Sequence, residues 1–143
     1  MKVQQISIFL ENKSGRLATL THTLSEEKIN IRALSIADTT DFGILRLIVD
    51  RPDEAYLALK KAGFTVSETS VIALEVPDHP GGLASIMEIM AGAEINIEYL
   101  YALPEKKTDN ALVIFRVEKI DKAIEVLKNN GIVVLTGDKV YGL

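Results

Sequence analysis

Hydrophobic positions alternate at period two, shift to helical spacing, and repeat that change twice in each half of the chain. Ile6, Ile8 and Leu10 fall on one face of a strand, with Gln5, Ser7 and Phe9 on the other. Leu17, Leu20 and Leu24 then mark the apolar stripe of a helix from about Gly15 to Glu27. Strands follow over 31–37 and 44–49, separated by the turn-rich Asp38-Thr39-Thr40-Asp41. Ala55, Leu59 and Ala62 give a second helix that stops at Gly63, and Thr65-Val66 opens a short last strand. The second half reads the same way: strand 71–76, helix 82–92, strands near 97–103 and 111–117, helix 121–130 ended by Gly131, and strand 132–136.

The likeness extends to residue identities. At an offset of 66, Ile6, Gly15, Leu17, Ala18, Ile29, Asn30, Ile31 and Leu34 fall on Ile72, Gly81, Leu83, Ala84, Ile95, Asn96, Ile97 and Leu100. After a two-residue insertion near Pro104 the offset is 68. Val49, Asp53, Ala55, Leu59, Lys60, Gly63 and Val66 then meet Val117, Asp121, Ala123, Leu127, Lys128, Gly131 and Val134. The chain is a tandem repeat, with repeat 1 over 1–70 and repeat 2 over 71–143.

Each copy has the order βαββαβ, so the expected fold class is α+β. It comprises two ferredoxin-like repeats packed side by side, with antiparallel sheets and helices on one face. In the third strand Leu45, Leu47 and Val49 should meet the helices, leaving Ile44, Arg46 and Ile48 on the opposite face. That face is apolar enough to predict a second sheet stacked on it, from another subunit. Val140-Tyr141-Gly142-Leu143 aligns with Ile72-Ala73-Leu74-Glu75 and predicts an extra C-terminal strand in repeat 2. A unit of this size is marginally stable alone, and no Gly/Pro/Ser linker separates the copies, so they are expected to pack together.

Composition narrows the function. Repeat 1 carries 9 basic and 9 acidic residues and repeat 2 carries 7 and 11, so the net charge of −4 sits in repeat 2. An acidic chain without basic stripes, and with Phe9 alone as an outward-facing aromatic on its central strands, is a poor partner for nucleic acid. No stretch has membrane-spanning length, and the first residues do not read as a signal peptide. Zero cysteines exclude disulfides and thiolate metal sites and fit a cytoplasmic location.

The catalytic inventory is thin. His22 projects away from its helix's apolar stripe, and His79 with a single nearby carboxylate makes no triad. No phosphate-binding glycine fingerprint and no ligand cluster for a metal occurs, so neither enzymatic activity nor a cofactor is expected.

Two recurring spots suit binding. The first is the turn into the first helix of each copy, Asn12-Lys13-Ser14-Gly15 and Asp78-His79-Pro80-Gly81-Gly82. A helix start offers unpartnered N–H groups to an anion, glycine permits close approach, and Asn12 and Asp78 stand where an N-cap is expected. Ordinary helix capping explains the same residues. The second is Ile29-Asn30-Ile31 and Ile95-Asn96-Ile97 at the entry to strand two, where a carboxamide offers both donor and acceptor. Local backbone satisfaction is the competing reading there.

At these residues the chain resembles the ACT-domain family. Asp78-His79-Pro80-Gly81-Gly82-Leu83 followed by Asn96-Ile97 matches its Asp-x-Pro-Gly-x-Leu turn and Asn-Ile pair. Repeat 1 departs, reading Asn12-Lys13-Ser14-Gly15-Arg16-Leu17, but keeps Gly15, Leu17, Asn30 and Ile31. The resemblance implies a regulatory sensor that binds a free amino acid where ACT units meet and controls amino-acid metabolism allosterically, as a homodimer or with a metabolic enzyme. The residues it implicates are Asn12, Ser14, Gly15, Leu17, Asn30 and Ile31, with Asp78, Pro80, Gly81, Gly82, Leu83, Asn96 and Ile97. The N–H groups at Gly81-Gly82-Leu83 are expected to take the effector's carboxylate and Asn30 or Asn96 its ammonium or second oxygen; Tyr99 and Tyr101 either line its side-chain pocket or form a partly buried strand face.

Three other readings compete. The start of repeat 2 is also similar to acetohydroxyacid synthase small subunits, which carry one such copy. A pure assembly module would bind no small molecule. Acylphosphatases share the βαββαβ plan, but the loop after strand one holds Lys13 or His79 in place of their arginine, although Arg16 follows Gly15.

Overall fold

The computed structural model describes residues 1–38, 41–104 and 108–143. Part of the expected turn at Asp38–Asp41, and the insertion after Pro104, lie outside the described residues. The elements run β1 (Val3–Glu11), α1 (Arg16–Glu26), β2 (Ile31–Asp38), β3 (Phe42–Val49), α2 (Pro52–Lys61) and β4 (Thr65–Pro77). They continue as α3 (Gly82–Gly92), β5 (Ile97–Ala102), β6 (Asn110–Val117), α4 (Ile120–Asn129) and α5 (Gly137–Tyr141). Two compact units result. Gln4–Thr69 with Tyr141–Leu143 form the first, and Ser70–Val140 with Met1–Val3 form the second. Among the described residues no helix is long and apolar enough to cross a membrane.

In the first unit the strand order is β2-β3-β1-β4, with β3 antiparallel to both β1 and β2. Period-two alternation puts Ile6, Ile8 and Leu10 of β1 and Leu45, Leu47 and Val49 of β3 on one face. There they bury against Leu20 and Leu24 of α1 and Ala55 and Leu59 of α2. In the second unit Ile72, Leu74, Val113, Phe115 and Val117 build the same face, packed on Ile86 and Met90 of α3 and Ala123 and Leu127 of α4. Each repeat is thus the expected α+β layer with its own core.

All four long helices end in one hydrogen-bond pattern. Ile29, Phe64, Ile95 and Ile132 N–H reach back to Leu24, Leu59, Met90 and Leu127 carbonyls, each after a residue of positive φ. Gly63 and Gly131 hold that position after α2 and α4, Lys28 and Glu94 after α1 and α3.

Several expected elements differ. The last strand of repeat 1 and the first of repeat 2 are one 13-residue strand, β4. The strand expected at 132–136 reduces to a bridge between Val134 and Leu74, flanked by Glu75 N–H to Val133 O and Leu135 N–H to Ala73 O. The tail expected as an extra strand is the helix α5. Val140 N–H finds an acceptor at Thr136 O, so the backbone closes on itself instead of joining a sheet.

The helix-free face of the first sheet is covered over part of its extent. Gln5, Ala33 and Ile48 are fully buried there, while Phe9, Phe42 and Ile44 remain 50%, 42% and 39% exposed. Gln4 N–H donates to the Tyr141 phenol oxygen at 2.7 Å, and Arg32 Nε donates to the Tyr141 carbonyl at 3.0 Å. The chain end is therefore clasped to the first unit.

Candidate functional site

The turn between β1 and α1 is built from main-chain bonds. Asn12 N–H donates to Asp41 O at 2.8 Å, tying the end of β1 to the residue before β3, and Lys13 N–H donates to Glu11 O. Gly15, at φ 87°, is the N-cap of α1, and no side chain caps it. The repeat-2 turn has the same shape, with Gly81 at φ 89° as the N-cap of α3. Asn12 and Asp78 therefore do not occupy the N-cap expected for them. The left-handed glycine turns the chain three residues later, a conformation a side chain would oppose.

Beside the first of these turns lies a cleft of roughly 220 Å³, lined by Leu10, Glu11, Asn12, Lys13, Ser14, Gly15, Arg16, Leu17, Ile36 and Gly43. Three kinds of polar group border it. Helix geometry leaves the N–H groups of Leu17 and Ala18 without intrahelical acceptors at the positive end of α1. Lys13 Nζ lies 2.9 Å from Glu11 Oε2. The Lys13 hydrogen bond and charge, with a smaller contribution from Arg16, hold the Glu11 carboxyl below its ordinary value. The Arg16 guanidinium sits over the Phe64 ring, 4.8 Å from its centroid. Its Nε is buried without a hydrogen-bond partner, the one such side-chain atom among the described residues. The remaining wall is apolar: Leu10, Leu17 and Ile36, with Gly43 paired to Leu10 across β1 and β3.

Four of the repeat-1 candidates, Asn12, Ser14, Gly15 and Leu17, line this cleft; Asn30 and Ile31 do not. Asn30 N–H donates to Asp50 Oδ1 at 2.9 Å, and Asp50 N–H donates to Asn30 O at 3.1 Å. That pair sits just beyond β3's last residue, whereas Gly43 lines the cleft near its first. Within one unit the two spots are thus roughly 20 Å apart along the strand. Ile31 and Ile97 pair with Val49 and Val117 and pack on their cores.

In repeat 2, Gly82 N–H already donates to His79 O at 3.0 Å, leaving Leu83 and Ala84 as the open donors of α3. Gly82 has a packing reason to be glycine, since a Cβ there would lie 1.9 Å from Pro77 O. Asp78 and Pro80 lie in this turn, and His79 Nδ1 is 2.9 Å from Pro80 O. Asn96 O accepts Glu118 N–H, as Asn30 O accepts Asp50 N–H. Tyr99 and Tyr101 pair with Arg116 and Ile114, on the face of β5 away from the helices, and do not border the α3 turn. Leu10, Glu11, Arg16, Ile36 and Gly43 were not among the sequence candidates, and Lys13 entered only as part of the turn. The signal available was Lys13 and Arg16, two cations flanking Gly15.

Comparison with known proteins gives the family of the fold. Residues 1–141 match the family of ACT domain pairs. The crystal structure of protein BT0572 from Bacteroides thetaiotaomicron is 44% identical, with a TM-score of 0.93, covering 100% of this chain and 98% of that one. The regulatory subunit of aspartate kinase from Thermus thermophilus, in its ligand-free form, is 18% identical with a TM-score of 0.62 over 88% of this chain and 91% of that one. No match is found among curated proteins. With both copies of the fold and both glycine-capped turns in place, the chain belongs to the ACT domain pair family.

Proposed function

We propose that this ACT pair is a regulatory sensor whose first-repeat cleft binds a free amino acid. The observation that carries the reading is the grouping around one cleft of the helix-start N–H groups of α1, the Glu11 carboxyl that Lys13 holds below its ordinary value, and Arg16. An α-amino acid needs donors for its carboxylate and a carboxylate for its ammonium, and the cleft holds both. The α3 turn, with Asp78, Pro80, Gly81, Gly82 and Leu83, is a second receptor position on the same reading. Asn30 and Asn96, with Ile31 and Ile97 behind them, would serve a neighbouring copy's cleft in a homodimer. Allosteric coupling needs only about 1–3 kcal/mol between states, within reach of a few charge-assisted hydrogen bonds. A regulatory-subunit role beside an amino-acid biosynthetic enzyme is consistent with the Thermus fold relative being one.

A thermal-shift screen of the twenty amino acids tests this. A ligand at a hundredfold excess over its Kd stabilises by roughly 2.7 kcal/mol, a shift of several degrees. At least one amino acid should produce it, and Arg16→Met should remove most of it. A response unchanged in Arg16→Met would move the site elsewhere. No response to any amino acid would favour an assembly module, a reading supported by the exposure of Leu34 and Ile36 on edge strand β2 (58% and 49%).

A further inference from the structure

Resting on that reading of the cleft, we infer that its effector carries an aliphatic side chain. The cleft is chemically divided. Its charged groups gather at the turn, where Lys13 and Glu11 pair and Arg16 lies against Phe64. Its other wall is hydrocarbon from three strands and a helix: Leu10 on β1, Ile36 on β2, bare Gly43 on β3 and Leu17 on α1. Gly43 supplies depth, because a Cβ built there would touch the Ile36 side chain at 3.5 Å. Leu17 and Ile36 are 47% and 49% exposed, so this wall still has apolar surface to lose to a ligand.

With the carboxylate and ammonium at the turn, the side chain of an L-amino acid meets that wall. Against Leu10, Leu17 and Ile36 a charged or amide terminus would give up water, and none of those side chains offers it a partner, which is unfavourable. A hydrocarbon gains with each carbon buried. The cleft, at roughly 220 Å³, lies below the range that holds drug-sized ligands, which suits an effector of a few carbons.

The test is calorimetric titration of the full chain with L-alanine, L-2-aminobutyrate and L-norvaline, beside L-aspartate and L-lysine. Each added methylene should tighten binding about fourfold, the equivalent of about 0.8 kcal/mol at about 1.4 kcal/mol per tenfold. Aspartate and lysine should bind at least about tenfold more weakly than norvaline. In Ile36→Ser the alanine-to-norvaline slope should flatten. Ile36 is half exposed on an edge strand, so the variant should fold, as its melting curve would verify. A flat series, tighter binding of aspartate or lysine, or an unchanged slope in Ile36→Ser overturns the aliphatic assignment and leaves the receptor reading standing. Failure of every amino acid to bind overturns both.

Discussion

The guanidinium of Arg51 donates to the main-chain carbonyl of Lys28 at 2.7 Å, and Lys28 is the left-handed residue, φ 56°, that ends α1. The same Nη2 reaches the Glu27 carbonyl at 2.6 Å, and Nη1 pairs with Glu54. Repeat 2 reaches the equivalent end from another position, where Lys122 Nζ donates to Ala93 O at 2.9 Å beside left-handed Glu94. Both clamps place a cation at the negative end of a helix. A left-handed non-glycine costs about 1–2 kcal/mol, while glycine costs roughly 0.5–1 kcal/mol of unfolded-state entropy. Lys28→Gly and Glu94→Gly should therefore each raise stability by roughly 0.5–1 kcal/mol, read from urea midpoints.

Tyr141 lends its phenol oxygen to Gln4 N–H, so the extreme C-terminus supports the first repeat. Tyr141→Phe should leave that donor unsatisfied and cost about 1–2 kcal/mol. Amide exchange should quicken more at Gln4 than in α3 and α4. Removing Tyr141–Leu143 should cost more, because Arg32 loses its acceptor as well.

Two glycines of α3 should respond in opposite directions to alanine. Gly82→Ala drives a Cβ to 1.9 Å from Pro77 O and should cost about 3 kcal/mol or more. Gly92→Ala meets nothing within 4 Å and should gain roughly 0.4–1 kcal/mol by restricting the unfolded chain. Denaturant titration of both variants checks the contrast.

Glu11 sets an acidic limit on the cleft. Lys13 holds its folded-state pKa below the ordinary 4.5, so what its ionised form contributes is complete above pH 4.5 and lost as pH falls through the lower folded value. A carbon-detected NMR titration should place the Glu11 midpoint under 4.5 and return it toward 4.5 in Lys13→Met. Effector affinity should decline over the same acidic window.

The periodic part of the fold was legible because burial enforces it. Leu45, Leu47 and Val49 face the helices as their alternation requires, and Gly63 and Gly131 end helices as glycine after an apolar stripe suggests. Lys28 and Glu94 gave no such sign, since their left-handed turns are held by the surrounding bonds and not by residue type. The helices begin where their spacing puts them, near Gly15 and at Gly82, but their caps are of a different kind from the one expected. Asn12 and Asp78 are good capping residues by side chain, but the chain caps α1 and α3 with backbone at Gly15 and Gly81. In the tail, β-like identity at Val140-Tyr141 lost to local i, i+4 bonding and to the clasp on Gln4 and Arg32. For the candidate site, repeat-1 loop residues were readable from the shared Gly15 and Leu17. Ile36 and Gly43 join them only through strand register, which motif spacing does not report.

An amide-resolved NMR titration of the full chain with L-norvaline tests the central claim most directly. Binding at the first-repeat cleft should shift the amides of Gly15, Arg16, Leu17 and Gly43 together, with one saturating dissociation constant. Saturating shifts that leave those four amides unmoved, or no shifts with any amino acid, would contradict it.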